Sequence, residues 1–270
     1  ECFNSHGLVP VAKPTVGITE KDITRAIEAA QAVVVPPNRE VLHVIPQEFA
    51  VDEQRGITNP EGLRGSRLEA QVHIVTGAVT AIQNVIKSIN QAGLKVEDIV
   101  LQSLAASLAV LGKEEQKSGV LLIDIGGGTT DYVLFRDEAI RHTNVISVGG
   151  EHLTNDISIG LKLLRSQAVE IKKKFGQAVS ASVNGQASIS TPVSLGRPEI
   201  RFSRKKLCRI IELRLAELFQ LVRSDLEEKR LFQSVGSGLV LTGGTSLLKG
   251  IGELWEQITG LPVRRGTPGG

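Results

Sequence analysis

At 270 residues the chain is too long for one small core and too short for three full domains, so two domains are the starting expectation. Hydrophobic residues at 41% and charged residues at 22% exclude a disordered or collagen-like chain, and 31 basic against 29 acidic residues leave a net charge of +2, too little for a protein that coats nucleic acid. Cys2 and Cys208 match no metal or redox spacing, and no apolar run approaches the roughly 18 residues that span a membrane, so a reduced, cytosolic chain is expected.

The chain opens on Glu1-Cys2-Phe3-Asn4 and contains no methionine, the pattern of a piece of a longer protein. Residues 1–77 read as a small α+β unit. Thr19 and Asp22 form a capping box for a helix whose Ile23, Ala26, Ile27 and Ala30 recur at helical spacing, and Pro36 and Pro37 end it. An apolar, partly β-branched stretch from Val41 to Val51 predicts a strand that Pro46 interrupts or bends. After a loop from Gly56 to Gly65, alternation of Leu68, Ala70, Val72 and Ile74 with polar neighbours predicts a strand with one wet face.

Residues 78–117 carry a helix from Ala78 to Gln91 with Ile82, Val85, Ile86 and Ile89 on one side, a short strand at 94–101, and a helix Leu104–Leu111 that Ser103 caps. A charged loop from Gly112 to Ser118 marks the boundary between two lobes. Beyond it, 119–125 is a continuous apolar run, as expected of a strand buried on both faces, with partner strands at 131–136 and about 138–148. Two helices (150–162 and 166–175), short strands within 183–202, a long helix at about 204–229 carrying Leu207, Ile210, Ile211, Leu213, Leu218 and Leu221, a strand at 238–242 and a helix to Ile258 complete the chain.

Three glycine turns carry the chemistry. The first, Asp124-Ile125-Gly126-Gly127-Gly128-Thr129-Thr130-Asp131, lies between two β runs. A strand end delivers the Asp124 carboxylate to the mouth of a sheet, glycines let backbone N–H groups approach a phosphate, Thr129 and Thr130 add hydroxyls, and a carboxylate facing phosphate implies Mg²⁺ bridged by water. The second is Gly149-Gly150-Glu151 before a helix; the third is Thr242-Gly243-Gly244-Thr245 at the end of a buried strand, opening onto a helix N-terminus suited to a nucleotide. Each alone equally describes an ordinary polar turn. Their order within one lobe points to a single phosphate site.

These residues resemble the actin-like ATPase superfamily, whose second phosphate loop is similar to IDIGGGTTD and whose adenosine loop is similar to VLTGGTSLLKGI. Within it the likeness is to the bacterial cell-division family FtsA. VLHVIPQEFAVDEQRGITNPEGLRG and RLEAQVHIVTG resemble that family's small inserted domain, and GGEHLTNDISIGL has its counterpart there. The resemblance implies an α/β, actin-like (ribonuclease H-like) two-lobe fold with a small inserted α+β domain. It would place the inserted domain at 1–77, a remnant of the first lobe at 78–117, and the second lobe at 118–270 with a small subdomain at about 166–229. It implies that Asp124 orients Mg²⁺ and the attacking water, and that Gly126, Gly127, Gly128, Thr129 and Thr130 hold the β- and γ-phosphates. Gly149, Gly150 and Glu151 would lie by phosphates and ribose, Gly243, Gly244 and Thr245 would flank adenosine, and Lys172 would pack near adenine.

Three departures qualify it. The family's N-terminal phosphate loop is absent, Val169 stands where a glutamate would hold a ribose hydroxyl (Glu170 is one position away), and the chain ends before the family's second hinge helix and C-terminal membrane helix. Weak ATP binding, at most a weak ATPase, and no membrane attachment by this stretch alone are therefore expected. Arg204-Lys205-Lys206 open the long helix, where cations oppose the helix dipole; surface charge or docking of an acidic tail would explain them. The resemblance implies that this subdomain receives the C-terminal tail of FtsZ, that the protein self-associates and recruits division proteins, and that it works at the inner face of the cell membrane at the division site, with no role for nucleic acid. His6, His43, His73, His142 and His152 show no ligand spacing, and neither cysteine has a base beside it in sequence. A phosphotransferase on the same fold and an actin-like component of pilus assembly are the rival readings.

Overall fold

The computed structural model describes residues 2–193 and 197–268, so 194–196, inside the stretch expected to hold short strands, lie outside it. Two compact units divide the chain: Glu1–Ala105 with Phe135–Asn144, and Ala106–Leu134 with Val145–Gly270.

The first unit is built on an antiparallel sheet of order β1-β4-β2-β3, from β1 (Cys2–Pro10), β2 (Arg39–Val51), β3 (Gln54–Ile57) and β4 (Arg67–Ala78). Helix α1 (Glu20–Gln31) packs Ala26 and Ala30 against Val9, Leu68, Ala70 and Val72. The helix starts at Thr19, whose backbone N–H and hydroxyl both donate to the Asp22 carboxylate at 3.0 and 2.7 Å. Those two bonds, more than the neighbouring Arg25, hold Asp22 well below the usual carboxylate range. Strand β1 has no counterpart in the predicted elements. Its inward positions Ser5, Gly7 and Val9 are small or polar, so apolar alternation is hidden although burial alternates. Pro46 does not end β2: pairing to β3 is confined to Phe49 and Val51, so Pro46 has β4 alone as a ladder neighbour, and a register shift follows it.

Two expectations fail here. The strand expected at 94–101 has no regular structure; Leu94 and Val100 are exposed, so there is no sheet face to bury them, and the Asp98 carboxylate accepts from the Ile99 N–H instead. The loop expected at Gly112–Ser118 is partly helical, α4 (Lys113–Ser118), because the Glu115 carboxylate accepts the Gly112 N–H at 2.8 Å. Helices α2 (Val79–Gln91) and α3 (Gln102–Val110) form near their predicted places, but no described residue of α2 is buried, its Ile82–Ile89 side included.

In the second unit, β5 (Val120–Ile125), the first five residues of β6 (Thr130–Arg136), β10 (Leu239–Thr242) and β11 (Val263–Arg265) form a sheet in the order β11-β10-β5-β6, with β5, β10 and β11 parallel, while most of β7 (Ala139–Ile146) belongs to the first unit. All six residues of β5 are buried, as its continuous apolar run requires of a central strand. Around this sheet lie α5 (Gly150–Leu161), α6 (Arg165–Phe175), α7 (Arg204–Glu228) and α8 (Ile251–Thr259), with the hairpin β8 (Ser188–Val193) and β9 (Arg197–Ser203) before α7. Helix α7 covers the predicted span, but two leucines of its predicted stripe point outward: Leu213 is 54% and Leu221 45% exposed. Its inner face is Leu207, Ile211, Leu215, Leu218, Phe219, Val222 and Leu226, with Phe219 edge-on to Trp255 at 5.1 Å. Over 25 residues a 3.6-residue period rotates an apolar row around the helix, so the side that packs is settled by neighbours. Among the described residues no helix is long and apolar enough to cross a membrane.

Candidate functional site

Parallel pairing of β5 with β10 sets Thr242 opposite Asp124, so the turn after Ile125 and the turn after Thr242 leave the same end of the sheet side by side. Carboxyl ends of neighbouring parallel strands are where open α/β sheets bind ligands. The Thr245 hydroxyl donates to Gly126 O at 3.2 Å, tying the two turns together across 119 residues of chain. Gly243 adopts φ +84, and a Cβ there would lie 2.3 Å from Asp124 Oδ1 and 2.5 Å from Ile125 O. No residue but glycine fits between these strand ends.

The third turn closes onto the first. Gly150 N–H and Glu151 N–H donate to Gly126 O and Gly127 O at 2.9 and 2.8 Å, and a Cβ on Gly149 would meet Gly127 O at 2.6 Å. The first amides of α5 are thus engaged by the glycine turn itself, so at this helix the loop takes the donors that a phosphate would otherwise use. Gly128 faces open space. The predicted glycines of all three turns therefore lie together in one unit.

Asp124 and Asp131 flank the turn, 8% and 7% exposed. Burial, and secondarily the Asp124 charge, push the Asp131 carboxyl up, while the Thr129 hydroxyl donating to it at 3.0 Å opposes that shift. Thr130 is fully buried with its hydroxyl donating to Val148 O at 2.7 Å, which places it behind the turn as a support.

A cleft of about 590 Å³ opens over these turns. Gly126, Gly127, Gly150, Glu151, Gly244 and Thr245 of the turns line it, together with Val169, Lys173, Leu247 and Leu248. Lys172 and Thr154 lie on its wall: Lys172 Nζ donates to Gly150 O at 2.6 Å and to Thr154 Oγ1 at 2.8 Å. Burial, then the neighbouring Lys173, lower the Lys172 ammonium below its ordinary range. Glu151 is paired with Arg165 at 2.8 Å at the exposed rim. Val169 lines the cleft whereas Glu170 is exposed and outside the lining, so the one-residue offset seen in the sequence sends that carboxylate elsewhere. Thr154, Lys173, Leu247 and Leu248 are lining residues that motif reading missed. Thr154 was within reach, one helical turn after Gly150 on the same face.

The basic triplet at the start of α7 divides. Arg204 Nε donates to Phe175 O at 3.1 Å, closing the C-terminus of α6, whereas Lys205 and Lys206 are exposed. With Arg209, Ile210, Glu212 and Ser180 they border a shallow groove of about 620 Å³, distinct from the cleft. Sequence reading missed Arg209, although one turn after Lys205 is where a shared helix face would put it.

Solved structures with this fold include MreB5 of Spiroplasma citri bound to ADP (TM-score 0.60, 23% identity, 71% of this chain and 62% of that one) and a PilM–PilN type IV pilus biogenesis complex (TM-score 0.62, 20% identity, 99% and 66%). Fold and turn arrangement together define an actin-like protein. Residues 121–269 match the family described as cell division protein FtsA, and residues 1–76 match the SHS2 domain inserted in FTSA. The chain is 43% identical to cell division protein FtsA of Pseudomonas aeruginosa over 266 residues, 42% to that of Borreliella burgdorferi over 269, and 37% to that of Escherichia coli K12 over 274. It belongs to the FtsA family of cell-division proteins. These alignments take in 98–99% of this chain and 63–65% of each relative's length.

Proposed function

We propose that the cleft binds ATP with Mg²⁺ and that the protein is a nucleotide-gated, self-associating scaffold of bacterial cell division. In this reading it ties FtsZ to the inner face of the cytoplasmic membrane, through a C-terminal helix beyond this chain, and recruits further division proteins. The convergence of three glycine turns on one cleft, with Thr242 opposite Asp124, carries the nucleotide reading. The fold shared with MreB5, solved with ADP and with AMPPNP, supports it. Phosphates would sit at the Gly126–Thr129 turn, and the base near Val169, Lys173, Leu247 and Leu248. For nucleotide to drive a closed, polymerising state, it must favour that state by about 5 kcal/mol.

The donor set fits Mg²⁺. Asp124 and Asp131 offer hard carboxylate oxygens on either side of the first glycine turn, and among the described residues no group of three or more His, Cys, Asp or Glu side chains forms a cage. Mg²⁺ is commonly held by one or two carboxylates, water and substrate phosphates. Asp124 would hold it through water, and the bound ion would neutralise phosphate charge. Calorimetric titration of the chain with ATP and ADP, with and without Mg²⁺, tests this. Asp124→Ala should weaken Mg²⁺-dependent binding roughly 10- to 100-fold and change Mg²⁺-free binding little. Equal loss in both conditions, or no nucleotide binding by the unaltered chain, would overturn the reading.

The groove beside Lys205, Lys206 and Arg209 is the proposed seat of the FtsZ tail, its cations matching an acidic peptide and Ile210 offering an apolar contact. Lys205→Glu combined with Lys206→Glu should lower binding of a fluorescent tail peptide roughly tenfold and flatten its salt dependence. Unchanged affinity would remove this surface from consideration.

A further inference from the structure

We propose that Lys172 is an acylation site, its amine taking the acyl group of a small acyl phosphate whose phosphate rests on the Gly126–Thr129 turn. The inference depends on the proposed reading of that turn as a phosphate cradle. Gly126 O and Lys172 Nζ lie 3.4 and 3.5 Å from the place a Gly150 Cβ would occupy, with the Thr245 hydroxyl closer at 2.5 Å, and Gly126, Gly127 and Lys172 all line the same cleft. Turn and amine thus border the same cleft, whose volume of about 590 Å³ easily admits a molecule with two bonds between acyl carbon and phosphorus.

Lys172 Nζ has two acceptors, Gly150 O and Thr154 Oγ1. A neutral amine has two hydrogens to give them, and its lone pair then takes the third position of the former ammonium. Desolvation and then the Lys173 charge make deprotonation easier than for an ordinary lysine, against the opposing Glu151 carboxylate, the direction used by nucleophilic lysines in general. The exposed Lys173 and Lys174, next along α6, lack such a setting.

The step balances. The ammonium first releases one proton to solvent. The amine nitrogen then forms a bond to the acyl carbon, the bond from that carbon to the phosphate oxygen breaks, and phosphate departs with the amine's second proton. The product is a neutral amide with one N–H. It has lost the charge and one of the two donors that hold α6 to the first turn of α5, so acylation would loosen the wall of the cleft and weaken anion binding.

The test is time-resolved mass spectrometry of the chain treated with acetyl phosphate, compared with N-hydroxysuccinimidyl acetate, which carries no phosphate. Acetyl phosphate should acetylate Lys172 roughly tenfold or more faster than Lys174, proximity to the bound phosphate adding to the amine's own reactivity. Inorganic phosphate should slow Lys172 specifically, and the preference should shrink several-fold with the phosphate-free donor, leaving only what the amine's own reactivity gives. Equal rates at Lys172 and Lys174 would overturn the proposal, as would the same preference with both donors. ADP binding is measured separately: if ADP binds and Lys172 is not favoured, the acylation site falls and the nucleotide reading stands. If Lys172 is favoured and ADP neither binds nor protects it, the nucleotide reading falls and the acylation site stands. Lys172→Gln should weaken ADP binding several-fold and Lys172→Arg less, a charge dependence that simple loss of packing would not produce.

Discussion

Gly243→Ala is expected to destabilise the second unit by about 3 kcal/mol or more, the sum of a strained positive φ and an overpacked contact. The added methyl group would meet Ile125 O, which belongs to the backbone of a strand buried along its whole length. It would also meet Asp124 Oδ1, and the buried carboxylate would have to shift away from the strand end to make room. Nucleotide affinity should therefore fall at least tenfold even where the variant stays folded, because the two turns no longer share one position. Gly244→Ala is the control: nothing lies within 4 Å of its added Cβ, and its stability should stay within about 0.5 kcal/mol of the parent. Trp255, the single tryptophan, is fully buried in the second unit, so urea unfolding followed by its fluorescence reads this unit directly. Coincident curves for parent and Gly243→Ala would refute the packing described at that turn.

The first unit should lose about 3 kcal/mol of stability as pH falls from 6.5 to 4, through His73. This side chain is 1% exposed on β4, between Asn4 Oδ1 at 2.7 Å and Thr143 Oγ1 at 2.9 Å. A neutral imidazole satisfies both partners by donating to Asn4 and accepting from the Thr143 hydroxyl. Burial, and then the nearby His142, push His73 down from 6.5 to about 4. In that interval the unfolded chain binds a proton that the folded unit refuses. Stability is therefore complete above 6.5, declines as pH falls towards 4, and levels off once both states are protonated. Hydrogen exchange of β4 amides as a function of pH measures this. His73→Gln, which cannot titrate, should be somewhat less stable at pH 7.5 and show a visibly shallower pH slope. Equal slopes would assign the acid sensitivity to another group.

Both predictions turn on contacts that join distant stretches of chain, and there the reach of sequence reading ends. The glycine turns after Ile125 and after Thr242, the Thr19–Asp22 cap, the span of α7 and the buried β5 were all legible, because each follows from backbone freedom, capping or apolar periodicity within a dozen or so neighbouring residues. The family likeness was equally local, carried by short runs on either side of the lobe boundary.

What lies across the fold was not legible in the same way. Arg204 looked like a free cation in the sequence and is bonded to Phe175 O, while Lys205 and Lys206 remain exposed. Leu213 and Leu221 fit an apolar row on α7 and face outward, because Tyr132, Trp255 and the sheet define which side of that helix has neighbours. Strand β1 was invisible, since β4 and α1 supply the apolar surface that its small inward residues do not. Local chain preferences thus determined which turns and helices exist and where the glycines fall. Only tertiary packing decided that Thr242 lies opposite Asp124, that Val169 rather than Glu170 lines the cleft, and that His73 is kept dry. Burial and pairing are properties of surfaces brought together from far apart in the chain, and no single segment carries them.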